Sequence, residues 1–182
     1  MYLQTLGVLA LRGAGLENRV NQGPQRKTLE RLAYVLIEKE VSREAFEQLF
    51  LSYADNPSRE LRRVIQNING FFTKQGLDNV VIVEAKLLRA NLKTDVDMLE
   101  EFLIAGDIAS ACELYKGAFF EHIETESSRD TIKDWTLRQR RLIAGRLLDA
   151  LVNKGQHTAL EQSELDLIWM LFQHASSYSQ PV

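Results

Sequence analysis

The side chains in this sequence that could do chemistry are guanidinium, ammonium and amide groups set at helical spacing. Arg59, Arg62 and Arg63 open the stretch SRELRRVIQNINGFFTKQG; Gln66, Asn67 and Asn69 follow, Lys74 lies near its end, and Lys86 and Arg89 come soon after. Cations of this kind neutralise phosphates, the source of most affinity for double-stranded DNA, and side-chain amides can pair bidentately with adenine in the major groove. Arg26, Lys27 and Lys93 could add further phosphate contacts. With about three cations on phosphate, log K should fall with log salt at a slope of about -3. The competing expectation is a solvated helix face whose arginines serve solubility alone.

Other chemistries find little support. His122, His157 and His174 are scattered without metal-ligand spacing. Cys112 is the only cysteine, which excludes an intramolecular disulfide and a paired-thiolate site; next to Ala111 it reads as a buried, inert thiol. No dinucleotide, phosphate-loop, nucleophile-elbow or HExxH pattern occurs. The expectation is a protein that is not an enzyme and holds no metal or cofactor. The opening MYLQTLGVLALRG lacks a basic n-region, and no window approaches about 18 uninterrupted apolar residues, so a cytoplasmic protein without a membrane span is expected. A content of 45% hydrophobic and 26% charged residues suits a folded globular chain.

Charge is sorted along the chain. Residues 1–94 hold 14 Lys and Arg against 10 Asp and Glu, a net +4, whereas residues 95–182 hold 8 against 15, a net -7. A mildly basic front half fits contact with a polyanion, and an acidic rear half does not.

The elements that must position these groups follow from periodicity. YLQTLGVLALRG predicts a strand that stops at the turn of Gly13 to Gly15, and LENRVNQGP a second short strand. Leu29, Leu32, Ala33, Leu36 and Ile37 fall at helical spacing from Arg26 to about Lys39, and Ser42 is placed to cap a second helix carrying Phe46, Leu49 and Phe50. Asn56 followed by Pro57 opens a third helix. Its apolar stripe of Leu61, Ile65, Ile68 and Phe72 turns Arg59, Arg62, Arg63, Gln66 and Gly70 outward, with Asn69 at the edge. NVVIVEAKLLRANL predicts a hairpin with its tip near Glu84 to Lys86. Strands, three helices and a hairpin are the order of a winged helix-turn-helix, here assigned to residues 1–94.

Residues 95–182 are expected to be all helical. Thr94 and Asp97 suggest a capping box, Gly106 a stop, and Asp107 the start of a helix through DIASACELYKGAFF. HIETESSRD reads as a polar link. A long helix from about Asp130 to Asn153, ended by Gly155, precedes a last one capped by Ser163 that runs to about His174, with SSYSQPV as a frayed tail. Short glycine turns between such helices suggest tetratricopeptide-like hairpins. The fold class predicted is therefore an α+β winged helix-turn-helix followed by an all-α tetratricopeptide-like domain.

In the order of these segments the chain resembles bacterial transcriptional activators of the antibiotic regulatory protein type, in which a response-regulator-like winged helix precedes a helical bacterial transcriptional activator domain. LQTLGVLALRG is similar to their opening strand, GPQRKTLERLAYVLIEKEVSREAFEQLF to their first two helices, and TDVDMLEEFL to the domain junction. ACELYKGAFFEHI, with Trp135, Arg141 and Leu142, is similar to the helical domain. The resemblance implies transcription regulation, with the third helix and wing on DNA and the helical domain contacting RNA polymerase or a second copy of the chain as a homodimer. Two departures stand out: Gln66-Asn67-Ile68-Asn69-Gly70 replaces an arginine-rich segment, and Leu87 and Leu88 stand near the usual Gly-Tyr pair of the wing. The helical domain is also short, as in a truncated or reduced member. The rival expectation is a protein-interaction module whose degenerate winged helix does not bind DNA productively.

Overall fold

The computed structural model describes residues 1–13, 18–19, 24–121 and 130–176. The chain is mixed α/β, with seven helices and small sheets among the described residues. It divides into two compact units, one formed by Met1–Gln4 with Leu9–Thr94, the other by Thr5–Val8 with Asp95–Val182. The exchanged segment carries no charged residue, so the front unit remains basic and the rear unit acidic.

In the front unit, β1 (Tyr2–Gln4) pairs antiparallel with β2 (Ala10–Arg12), and β2 pairs with the short β3 (Asn18–Arg19). The sequence suggested one strand through Leu11; the chain instead leaves the sheet after Gln4 and returns at Ala10. Gly7, at φ +81°, supplies a reversal in the left-handed region that side-chain-bearing residues disfavour. The turn placed at Gly13 to Gly15 and most of LENRVNQGP lie outside the described residues.

Helix α1 (Pro24–Glu38) buries Leu29, Leu32, Ala33, Val35 and Leu36, with Ile37 only half-buried. After β4 (Val41–Ser42), the Ser42 hydroxyl accepts from the Ala45 amide at 3.0 Å and opens α2 (Arg43–Leu51), as its cap position predicted. Tyr34 sets its ring edge-on to Phe50, which also packs on Phe46, and the three rings seal α1 against α2. The Asn56 side chain likewise caps α3 (Pro57–Thr73), accepting from the Arg59 amide at 2.9 Å with Pro57 in the first turn. The face that α3 buries is Leu61, Val64, Ile68 and Phe72; Val64, not Ile65, completes the stripe. A hairpin of β5 (Val81–Glu84) and β6 (Leu87–Ala90) then adds to β4 in a three-stranded sheet, with Ala85 and Lys86 at its tip. The last strand, β7 (Lys93–Thr94), runs parallel to β1 and completes the first sheet in the order β3-β2-β1-β7.

The rear unit begins at α4 (Asp95–Ala105), which Gly106 ends at φ +74°. Asp107 caps α5 (Ile108–Leu114) by accepting from the Ser110 amide. This helix stops before Tyr115, short of the run through Phe120 that the sequence suggested. Residues Tyr115–Phe120 form an extended turn whose backbone pairs with Thr5–Val8: Gly7 donates to Ala118 O at 3.0 Å and Phe120 to Thr5 O at 2.9 Å. At Gly117 a side chain would meet the Gly7 Cα at 3.0 Å, so two glycines let the strands approach.

Helix α6 (Asp130–His157) continues through Gly155, which therefore does not end it. Its cost inside a helix is about 1 kcal/mol, outweighed where the turn packs so closely on Leu160 that a Cβ would lie 3.1 Å from that side chain. Helix α7 (Gln162–Ser176) starts one residue before Ser163. The cap is instead Glu161, whose amide donates to the Glu164 carboxylate at 3.0 Å in the manner of half a capping box. Helix α4 packs on α5 and α6 on α7. Residues 122–129, which hold His122 and most of the polar link, and the tail beyond 176 lie outside the described residues.

Candidate nucleic-acid interface

Helix α3 presents two opposed faces. Leu61 and Phe72 are fully buried on one side, while Arg59, Arg62, Arg63, Gln66, Asn67 and Gly70 are exposed on the other, as their spacing predicted. The side chains of Arg59, Arg62, Gln66 and Asn67 make no hydrogen bond or ion pair with any described residue. Arg63 has only a loose approach to Glu60 at 3.8 Å across one helical turn, and it stays 73% exposed. Such a pair contributes little in water and is readily exchanged for a phosphate. Arg59, Arg62, Arg63 and Gln66, with Asn56 at the helix start, line an open hollow of about 660 Å³. The helix dipole favours anions there, whereas Asp55 and Glu60, which line the same hollow, oppose them.

Asn69 does something else. Its Oδ1 accepts from the Val81 amide at 2.8 Å and its Nδ2 donates to the Val81 carbonyl at 2.9 Å. The side chain mimics a strand partner at the first residue of β5 and ties α3 to the hairpin. It is half-buried with both polar atoms engaged, which removes it from the set of base readers. Asn69→Ala would leave the two Val81 groups unpaired and is expected to lower stability by about 1–2 kcal/mol, measured as a reduced urea midpoint at unchanged slope.

The hairpin contributes less positive charge than the sequence suggested. The Arg89 guanidinium donates to Glu84 at 2.8 Å and to Glu40, so one cation lies between two carboxylates. Glu84 follows from its place on the paired strand, but Glu40 is 49 residues away and no local pattern points to it. Lys86, at the exposed tip, is thus the hairpin's unneutralised cation, and Lys74 is exposed just past α3. Gly70 is exposed with nothing within 4 Å of where a Cβ would stand, so no contact within the molecule requires glycine there.

The remaining reactive groups are held by structure. Burial pushes the Cys112 thiol up, with Glu164 adding to the effect, which makes it a weak nucleophile. His174 meets the Tyr115 hydroxyl at 3.0 Å. Among the described residues no group of three or more His, Cys, Asp or Glu side chains converges, and no helix is long and apolar enough to cross a membrane. No protein-family model, curated protein or solved structure matches the chain, so its functional reading rests on its own residues.

Proposed function

We propose that the protein is a DNA-binding transcriptional regulator whose front unit is a winged helix and whose rear unit, built of tetratricopeptide-like hairpins, makes protein contacts. The observation that carries this reading is the outward face of α3: three arginines and two amides without tight internal partners, on a helix whose opposite face is fully buried. Arg59, Arg62 and Arg63 take phosphates, and Gln66 and Asn67 meet base edges in the major groove. Gly70 fits close approach of the helix backbone, since its cost of about 1 kcal/mol is offset by no internal contact. RNA polymerase or a second copy of the chain are the partners in keeping with this reading, and a dimer would raise a weak monomeric affinity.

The test is titration of a labelled random duplex at low salt. Arg62→Ala/Arg63→Ala is expected to weaken binding by about 10- to 100-fold and to flatten the salt slope from about -3 to about -1. Absence of binding by wild type, or equal binding by both proteins, rules α3 out as a DNA reader. The second reading, an interaction module without productive DNA binding, is favoured by Asn69 and Arg89, whose polar groups are committed inside the molecule.

A further inference from the structure

The rear unit also contains a groove to which no role has been assigned. It lies between α5 and α7, with a volume of about 490 Å³. Cys112, Leu167 and Met170 give it an apolar floor, and Glu113, Glu161 and Asp166 stand at its edge. All three carboxylate residues are exposed. Lys154, the lysine on the groove, is bound to Glu164 at 2.6 Å and also attracted by Glu161, contacts that raise its pKa, so four carboxylates on the groove face one cation. Asp166 accepts from the neutral Gln162 side-chain amide at 2.9 Å. Beside the groove, α7 also exposes Leu165, Trp169 and Phe172 at helical spacing, with Trp169 69% accessible.

An apolar floor under a net acidic rim is complementary to an apolar segment flanked by lysine or arginine. The volume falls within the range of about 300–1,000 Å³ that accommodates a small cluster of apolar groups. Phosphate would be repelled by the rim. The rear unit of a second copy, at net -7 over residues 95–182, brings the same sign of charge. We infer that the α5–α7 groove docks an amphipathic, basic-flanked helical segment of a partner protein. This rests on the reading of the rear unit as a protein-contact surface.

The test uses the full chain and a fluorescent synthetic helix with leucines at i, i+3, i+4 and i+7 and lysines on the flanks. A matched peptide with glutamate in place of each lysine is the control. Anisotropy reports binding. Because Cys112 is the only thiol in the protein, its rate of reaction with a disulfide reagent reports occupancy of the groove. The lysine peptide is expected to bind and to slow the thiol reaction by about fivefold or more at saturation. Glu113→Lys/Asp166→Lys, both at exposed positions, is expected to reduce its affinity by about tenfold or more, with unchanged circular dichroism. Equal binding of the two peptides, or insensitivity to charge reversal, overturns the assignment. Binding with an unprotected Cys112 and a shifted tryptophan emission would place the peptide on the outer face of α7, which overturns the groove but leaves the rear unit a contact surface. No binding of either peptide would overturn the groove as a docking site.

Discussion

Asp95→Ala is expected to destabilise the rear unit by about 3–5 kcal/mol, lowering its thermal midpoint by roughly 10 °C or more. Asp95 is 1% exposed and its carboxylate is surrounded by donors. It accepts from the Thr5 amide at 2.8 and 2.9 Å, the Thr5 hydroxyl at 2.7 Å, the Leu6 amide at 2.7 Å and the Val96 amide at 3.1 Å. Alanine would strand buried amides with nothing to receive them, and would remove a negative charge from the N-terminus of α4, where the helix dipole favours it.

The same carboxylate sets a pH dependence. Burial raises its pKa above the ordinary 3.8, outweighing the opposing pull of the Thr5 hydroxyl and of the Leu6, Thr5 and Val96 amides. The folded state therefore binds the proton more tightly than the unfolded chain does. Stability from this difference is fully present below the unfolded value and is lost as pH rises through the folded one. The unfolding free energy of wild type relative to Asp95→Asn should fall with rising pH from about 4 upward and then level off, as followed by urea denaturation across a pH series.

Arg140→Ala is expected to cost about 3–5 kcal/mol, through the cavity it leaves and the two hydrogen bonds to backbone carbonyls that it removes. Arg140 is 4% exposed; its Nε donates to Phe119 O at 2.6 Å and its Nη2 to Phe120 O. Those two rings stack at 4.5 Å and Trp135 meets both edge-on, so the guanidinium fixes the backbone from which a buried aromatic cluster is built. Lysine, a single point charge on a flexible stem, cannot span both carbonyls with a planar fork and should recover less than half of the loss. Near-ultraviolet circular dichroism of Trp135, together with the urea midpoint, distinguishes loosening of this cluster from global unfolding.

What could be read from the sequence was local. The caps of Ser42 and Asn56, the outward face of α3, the hairpin tip and the stop at Gly106 each follow from residues a few positions apart, where geometry leaves little choice. The misplacements have the opposite origin. Asn69 looked like a free amide because nothing nearby in sequence reveals Val81 as its partner, and Arg89 looked like a free cation because Glu40 reaches it only through the fold. Gly155 looked like a stop until Leu160 folded against it, and Ser163 looked like a cap because Glu161 and Glu164 provide one that the residue-type preference ranks lower. Of the nine expected DNA contacts, those on the exposed face of α3 lie together, whereas Lys86 and Arg89 stand apart on the hairpin, one free and one neutralised.

The assignment of Thr5–Val8 to the rear unit bears on how the chain is made. Thr5 precedes its Asp95 acceptor by 90 residues, so the amide is synthesised well before the carboxylate that receives it. At elongation rates of about 5–20 residues per second that is a wait of roughly 5–20 s before Asp95 is available to Thr5 and Leu6. The front unit can complete its sheet only when β7 emerges, and the rear unit must then recapture a segment enclosed by strands on either side. Synthesis thus delivers the two units in an overlapping order, and a rear half expressed from Asp95 onward would lack the segment that its buried carboxylate is built to hold.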